Sequence, residues 1–117
     1  MCSSDLLVGG DLERITAETV YEALVRGDAF STDLIHETAD LLGIGLANVV
    51  NLFNPQMIVL VGGVTRAGEH LFGPLRASIE RRAFPSAVGA CRIVPGALPA
   101  TAGVIGAAGV FVIDQVA

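Results

Sequence analysis

Apolar positions along this chain change rhythm several times, and each rhythm predicts an element. From Ile15 to Gly27, Val20, Ala23 and Leu24 fall on one face of a short helix. Thr16 is a fair N-cap for it, Glu18 lies in the first turn where negative charge is favoured, and Gly27-Asp28 ends it. A longer helix is predicted from about Ser31 to Phe53. Its first half sets Leu34, Ile35, Leu41 and Leu42 against Asp33, Glu37 and Asp40. Its second half places Leu46, Val49, Val50 and Phe53 at helical spacing. Gly43 and Gly45 cost helix propensity, and with Ala47 they are expected where another backbone approaches closely. Asn54-Pro55 stops the helix, because proline cannot continue it and restricts the residue before it.

The next segment, Met57 to Val61, is continuously apolar, rich in β-branched residues, and ends in Gly62-Gly63. That pattern predicts a strand buried on both faces, with helices on both sides, and therefore an α/β fold. Arg66 to Ala83 reads as helical with Leu71, Leu75 and Ile79 inward, kinked or restarted at Gly73-Pro74. Arg92 to Pro95 is a second, shorter strand whose proline suits a strand end or sheet edge. Ala102 to Val116 is a final helix with almost no charge. Its Gly103, Gly106 and Gly109 form a stripe without side chains, best explained by close helix packing. The predicted order is helix, helix, strand, helix, strand, helix.

Composition narrows the classes. A length of 117 residues fits one small domain or one lobe of a larger one. With 52% hydrophobic and 16% charged residues, intrinsic disorder is excluded. Twelve acidic against seven basic residues give a formal net charge of -5. All the basic residues are arginine and only Arg81-Arg82 are adjacent, which argues against a nucleic-acid surface. Two cysteines, Cys2 and Cys91, make neither a disulfide framework nor a four-ligand zinc site. No export signal is recognisable, so a reducing cytoplasm is the expected location. Leu41 to Thr65 carries no charge, but Gly43, Gly45, Asn48, Asn51, Asn54 and Pro55 interrupt it. A membrane span is therefore not expected.

The sharpest candidate for chemistry is the turn Gly62-Gly63-Val64-Thr65 between a strand and a helix. Two glycines there let a planar or anionic ligand approach the backbone, and the first turn of a helix offers N–H groups to an anion. An ordinary tight turn needing positive φ explains the pair as well, and is the commoner reason for glycines in that place. His36 and His70 lack partners at ligand spacing and read as solvated helix residues. Cys91 precedes Arg92, which could lower its pKa, but a strand start favours a small buried apolar role. Arg76, Arg81 and Arg82 with Glu80 read as a solvated helix face, and no acidic residue is expected at the glycine turn. The residues suggest no catalytic cluster, no metal site and no GxGxxG or GxxxxGK[ST] phosphate loop.

The run from Leu42 through Asn54-Pro55, Met57-Ile58-Val59-Leu60-Val61 and Gly62-Gly63 to Gly68 strongly resembles the ROK family of bacterial sugar kinases and sugar-responsive repressors. Ile15 to Glu18 with Gly27-Asp28, Arg92 to Pro95, and Ala102 to Ala108 match further family segments in the same order. The resemblance implies an actin-like, ribonuclease H-like fold in which two α/β lobes clamp ATP and sugar, and this chain resembles only the C-terminal lobe. It further implies that Gly62, Gly63 and Val64 line the adenosine side of the nucleotide site. Val61 stands where the family usually has a first glycine of three, and Pro99 replaces a common glycine before the last helix. The family's N-terminal phosphate loop, catalytic aspartate, sugar-binding residues and zinc motif have no counterpart here.

Residues 1–6, Met1-Cys2-Ser3-Ser4-Asp5-Leu6, do not resemble the family and match the translation of a common sequencing-adapter end read from a GTG start. The expectation is a non-native leader followed, over 7–117, by the C-terminal part of a sugar-kinase domain. The resemblance implies a longer parent that uses ATP with Mg²⁺ to phosphorylate the 6-hydroxyl of a hexose, as a homo-oligomer. The chain alone is then inactive. The alternative it leaves open is the sugar-sensing part of a ROK transcriptional regulator.

Overall fold

The computed structural model describes residues 7–98 and 101–116. Residues 1–6, expected to be a non-native leader, and Pro99 lie outside the described residues. A single turn of 3₁₀ helix, Leu12–Arg14, precedes α1 (Ala17–Val25) and α2 (Ala29–Phe53). Strand β1 (Met57–Leu60) leads through a 3₁₀ turn, Gly63–Ala67, into α3 (Glu69–Glu80). Then come α4 (Pro85–Ala90), β2 (Arg92–Pro95) and α5 (Ala102–Val116). The result is a mixed helix–sheet architecture.

Local chemistry sets these boundaries. Thr16 caps α1 through a capping box with Thr19, the Thr16 side chain accepting from the Thr19 N–H and the Thr19 hydroxyl accepting from the Thr16 N–H. Asp28 caps α2, accepting from the Ser31 N–H at 2.8 Å and from the Ser31 hydroxyl at 2.7 Å. Asn54 closes α2 in the left-handed conformation, φ 46° and ψ 52°, with its N–H bonded to the Val50 carbonyl. Asparagine tolerates that conformation better than most residues, and Pro55 follows at once.

The two strands pair in parallel, Met57 with Arg92 through Leu60 with Pro95. Helices α2 and α3 pack on each other and on one face of this ribbon. The core holds Leu71, Phe72, Leu75 and Ile79 of α3, Ile35, Ala39, Ala47 and Val50 of α2, and Ile93 of β2. Each large side chain buried there contributes roughly 1.5–3 kcal/mol. The predicted inward stripe of α3 is therefore found.

Several expectations are corrected. Met57 and Val59 are 41% and 51% exposed, so β1 is covered on one face only. Helix α3 runs unbroken through Pro74 and begins at Glu69, after the 3₁₀ turn. The proline costs it one bond, to the His70 carbonyl, which surrounding burial outweighs. Leu34, Leu41, Val49 and Phe53 are exposed, so the apolar surface of α2 is wider than the strip its neighbours cover. Helix α4 has no counterpart in the predicted order. Pro85 occupies its first turn, and Asn51 of α2 fixes its start by accepting from the Phe84 N–H at 2.8 Å.

Two close contacts tie α2 to α3. A Cβ built on Gly43 would lie 2.3 Å from the Ser78 Oγ and 2.5 Å from its Cβ, so the expected close approach is real there. At Gly45 nothing lies within 4 Å. Beside Gly43, Ser78 donates to the Asp40 Oδ1 at 2.8 Å, Arg81 pairs with the same oxygen at 2.9 Å, and Arg82 with Oδ2 at 3.0 Å. These arginines are thus clamps between helices, not a merely solvated face. Among the described residues the stripe on α5 meets no neighbour: nothing lies within 4 Å of a Cβ at Gly103, Gly106 or Gly109.

Candidate functional site

The glycine turn sits at the carboxyl end of β1. Gly62 has φ 117° and ψ 168°, a conformation open essentially to glycine alone. Its carbonyl accepts the Thr65 N–H at 3.2 Å and the Thr65 hydroxyl at 2.7 Å, which closes the 3₁₀ turn. Thr65 and Ala67 are buried beneath it. Gly68, at φ 54°, then redirects the chain, and its carbonyl accepts the Leu71 and Phe72 N–H groups that open α3.

Gly63 differs from Gly62. Its φ lies outside the positive range, and nothing stands within 4 Å of a Cβ built on it. Neither turn geometry nor crowding by the described residues requires a glycine at this position. What the site offers is bare backbone facing open space. The N–H groups of Gly63 and Val64 precede the first internal bond of the turn, the one made by Thr65. The Val64 side chain packs against the core, leaving only its backbone to a ligand.

The helix anticipated directly after the glycines is replaced by the short 3₁₀ turn, so the start of α3 lies farther away, at Glu69. An acidic side chain also comes nearer than expected, since Glu18 of α1 pairs with Arg66 on this turn. The long separation of the two residues hides that pairing in the sequence.

The remaining candidates are scattered. His36 and His70 are exposed on α2 and α3. Among the described residues no group of three His, Cys, Asp or Glu side chains could hold a metal ion. Cys91 is half-buried, packs against the core, and has its thiol pKa raised by burial, so the adjacent Arg92 does not activate it. Arg76 bonds Glu69 at 2.9 Å and lies 5.6 Å over the Phe72 ring. An apolar pocket of about 280 Å³ lies between α3, α4 and β2, lined by Ile79, Val88, Cys91 and Ile93 with Arg76 and Arg92 at its rim. No described helix is long and apolar enough to cross a membrane.

A parallel βα unit whose turn carries two glycines, one demanded by φ and one not, defines an α/β protein with an open backbone loop at a strand's carboxyl end. The chain belongs to the ROK family, whose sequence profile matches residues 5–113. It is 35% identical over 104 residues to the glucokinase of Thermotoga maritima, a match covering 89% of this chain and 33% of that protein. It is 34% identical over 74 residues to the xylose repressor of Caldicellulosiruptor bescii, covering 63% and 18%. Among solved structures, a ROK glucokinase from Streptomyces griseus in complex with glucose and AMPPNP superposes with a TM-score of 0.80 at 29% identity. That match covers 92% of this chain and 35% of the other. The chain therefore spans about a third of the length of the glucokinase it matches.

Proposed function

We propose that this chain is the C-terminal lobe of an actin-like sugar kinase of the glucokinase type, with the Gly62–Val64 turn forming part of the adenosine wall of its nucleotide site. The observation that carries the reading is Gly63, a glycine that faces open space and that nothing among the described residues requires. A ligand lying against the backbone supplies the missing reason. Over a comparable extent the identity to the Thermotoga maritima glucokinase is higher, 35% over 104 residues against 27% over 106 for a putative xylose repressor, which supports the kinase reading.

In this reading the chain's own residues bind and position. Gly62 shapes the turn, Gly63 admits the nucleotide, and the Gly63 and Val64 N–H groups face it. Mg²⁺ would neutralise charge on the phosphates, held by them and by the rest of the parent protein, since no group of described residues is placed to ligate it. The general base and the sugar contacts belong to the rest of the parent protein. A regulator of the same family would share this lobe and differ upstream, in a DNA-binding segment.

The test joins residues 7–117 to the remainder of the Thermotoga maritima glucokinase and measures ATP-dependent glucose phosphorylation. Activity in the hybrid, and its loss with Gly63→Val while the hybrid stays folded, is the expected result. A folded hybrid that binds no nucleotide, or a Gly63→Val form with unchanged ATP affinity, would remove the turn from the nucleotide site.

A further inference from the structure

Only one side chain of the glycine turn reaches outward. Gly62, Gly63 and Gly68 have none to offer. Val64 and Ala67 pack into the core, and the buried Thr65 donates its hydroxyl to the Gly62 carbonyl at 2.7 Å. Arg66 alone is exposed, with 57% of its side chain open. The turn is 3₁₀ from Gly63 to Ala67. In that helix residues three apart stand one above the other, about 6 Å along the axis. Val64 and Ala67 obey the rule, since both face the core. Gly63 and Arg66 are the matching pair on the outer side, so the Arg66 side chain borders the open space over Gly63.

Arg66 is held in place. Its Nη1 donates to the Glu18 Oε1 of α1, a helix that packs against both the turn and α2. The pairing has two effects. It orders a long side chain before any ligand arrives, so less conformational freedom is lost on binding. It also balances the guanidinium charge, and the Glu18 carboxylate beside it repels a phosphate. What remains is a flat, weakly hydrated plane, which suits the face of a neutral aromatic ring better than an anion.

We propose that Arg66 lays its guanidinium on the adenine ring of the bound nucleotide, and that Glu18 is the positioning residue that holds it there; this rests on the reading of the Gly62–Val64 turn as a nucleotide wall. Gly63, without a side chain, leaves the room the ring occupies. Arg66 touches the ligand, and Glu18 acts through Arg66 alone.

The glucokinase hybrid carrying residues 7–117 is titrated calorimetrically with adenosine, ATP and tripolyphosphate. An exposed ion pair adds little to folding, so substitutions in it leave the fold intact, which circular dichroism checks. Arg66→Ala is expected to weaken adenosine and ATP by the same factor, about tenfold, and to leave tripolyphosphate unchanged. Arg66→Lys keeps the charge but not the plane, and is expected not to restore affinity. Glu18→Gln is expected to weaken adenosine about threefold when Arg66 is present and not at all once it is alanine. In turnover Arg66→Ala and Glu18→Gln raise the KM for ATP and leave kcat unchanged, as a loss of uniform binding does.

Recovery with lysine, or a loss seen with ATP but not with adenosine, would assign Arg66 to the phosphates and overturn the proposal. An adenosine affinity that survives Arg66→Ala while Gly63→Val abolishes it also overturns the proposal, yet keeps the turn in the nucleotide site. If both substitutions leave binding untouched, the nucleotide reading falls and the proposal with it. A Glu18→Gln effect that persists beside Arg66→Ala removes the positioning role. The full chain gives a second measurement. Adenosine is expected to shift the NMR signals of Gly63 and of the Arg66 Nε–H, and shifts confined to other residues, or none, overturn the proposal.

Discussion

Gly43 of α2 lies so close to Ser78 of α3 that a Cβ at position 43 would sit 2.5 Å from the Ser78 Cβ. No side chain fits between the helices there, and the two backbones are held at the distance that glycine permits. The same contact brings Ser78 within reach of Asp40, so the spacing of the helices and the polar clamp depend on each other.

Gly43→Ala is expected to destabilise the chain by about 1–3 kcal/mol, because overpacking outweighs the gain in helix propensity. Gly45→Ala, with open space around it, is expected to stabilise by up to about 1 kcal/mol. Urea unfolding followed by circular dichroism compares the two. Equal effects would mean the helices part easily.

Asp40 gives a pH signature. Its hydrogen bond from Ser78, aided by Arg82 and Arg81, holds its pKa below the usual 3.8. A lowered folded-state pKa contributes stability that is present above the unfolded value and is lost as pH falls through the folded one. Asp40→Asn should therefore cost stability at neutral pH and cost progressively less below pH 3.8, where wild type and variant converge. Unfolding midpoints measured from pH 7 downward test the convergence.

The two glycines of the turn should separate stability from binding. Gly62→Val forces a β-branched residue to φ 117° and is expected to cost about 1–3 kcal/mol. Gly63→Ala meets nothing within 4 Å and is expected to change stability by no more than about 0.5 kcal/mol. In the glucokinase hybrid the Gly63→Ala form should nevertheless bind ATP more weakly. Calorimetric titration with a non-hydrolysable ATP analogue measures this. Unchanged affinity with unchanged stability would leave Gly63 without a role.

The chain alone is expected to form no glucose 6-phosphate from glucose and ATP. Phosphoryl transfer needs an acceptor site, a base and a metal site in one place. The described residues bring together no such cluster. A coupled assay reading above a buffer blank would place the missing groups somewhere in this chain.

Much of the fold was legible because local rules govern it. Thr16 and Asn54 each act through neighbours within four residues, and the structure keeps them where their chemistry predicts. The run Met57 to Leu60 forms the expected strand, although it is covered on one face only. What escaped depends on distant partners. Gly43 and Gly45 look alike in the sequence, and only the position of Ser78 separates them. The roles of Arg81 and Arg82 required knowing that Asp40 lies opposite. Helix α4 is too short to show a period. The turn at Gly62-Gly63 was visible as a turn, but which glycine answers to φ and which to open space needed the backbone itself.

The parallel pairing of β1 and β2 also sets an order of events during synthesis. Leu60 finds its partner Pro95 only after all of α3 and α4 has been made. At about 5–20 residues per second, β1 waits for seconds with its hydrogen-bonding edge unmatched. For that interval the more apolar of the two described strands is the segment a ribosome-associated chaperone would have to shield.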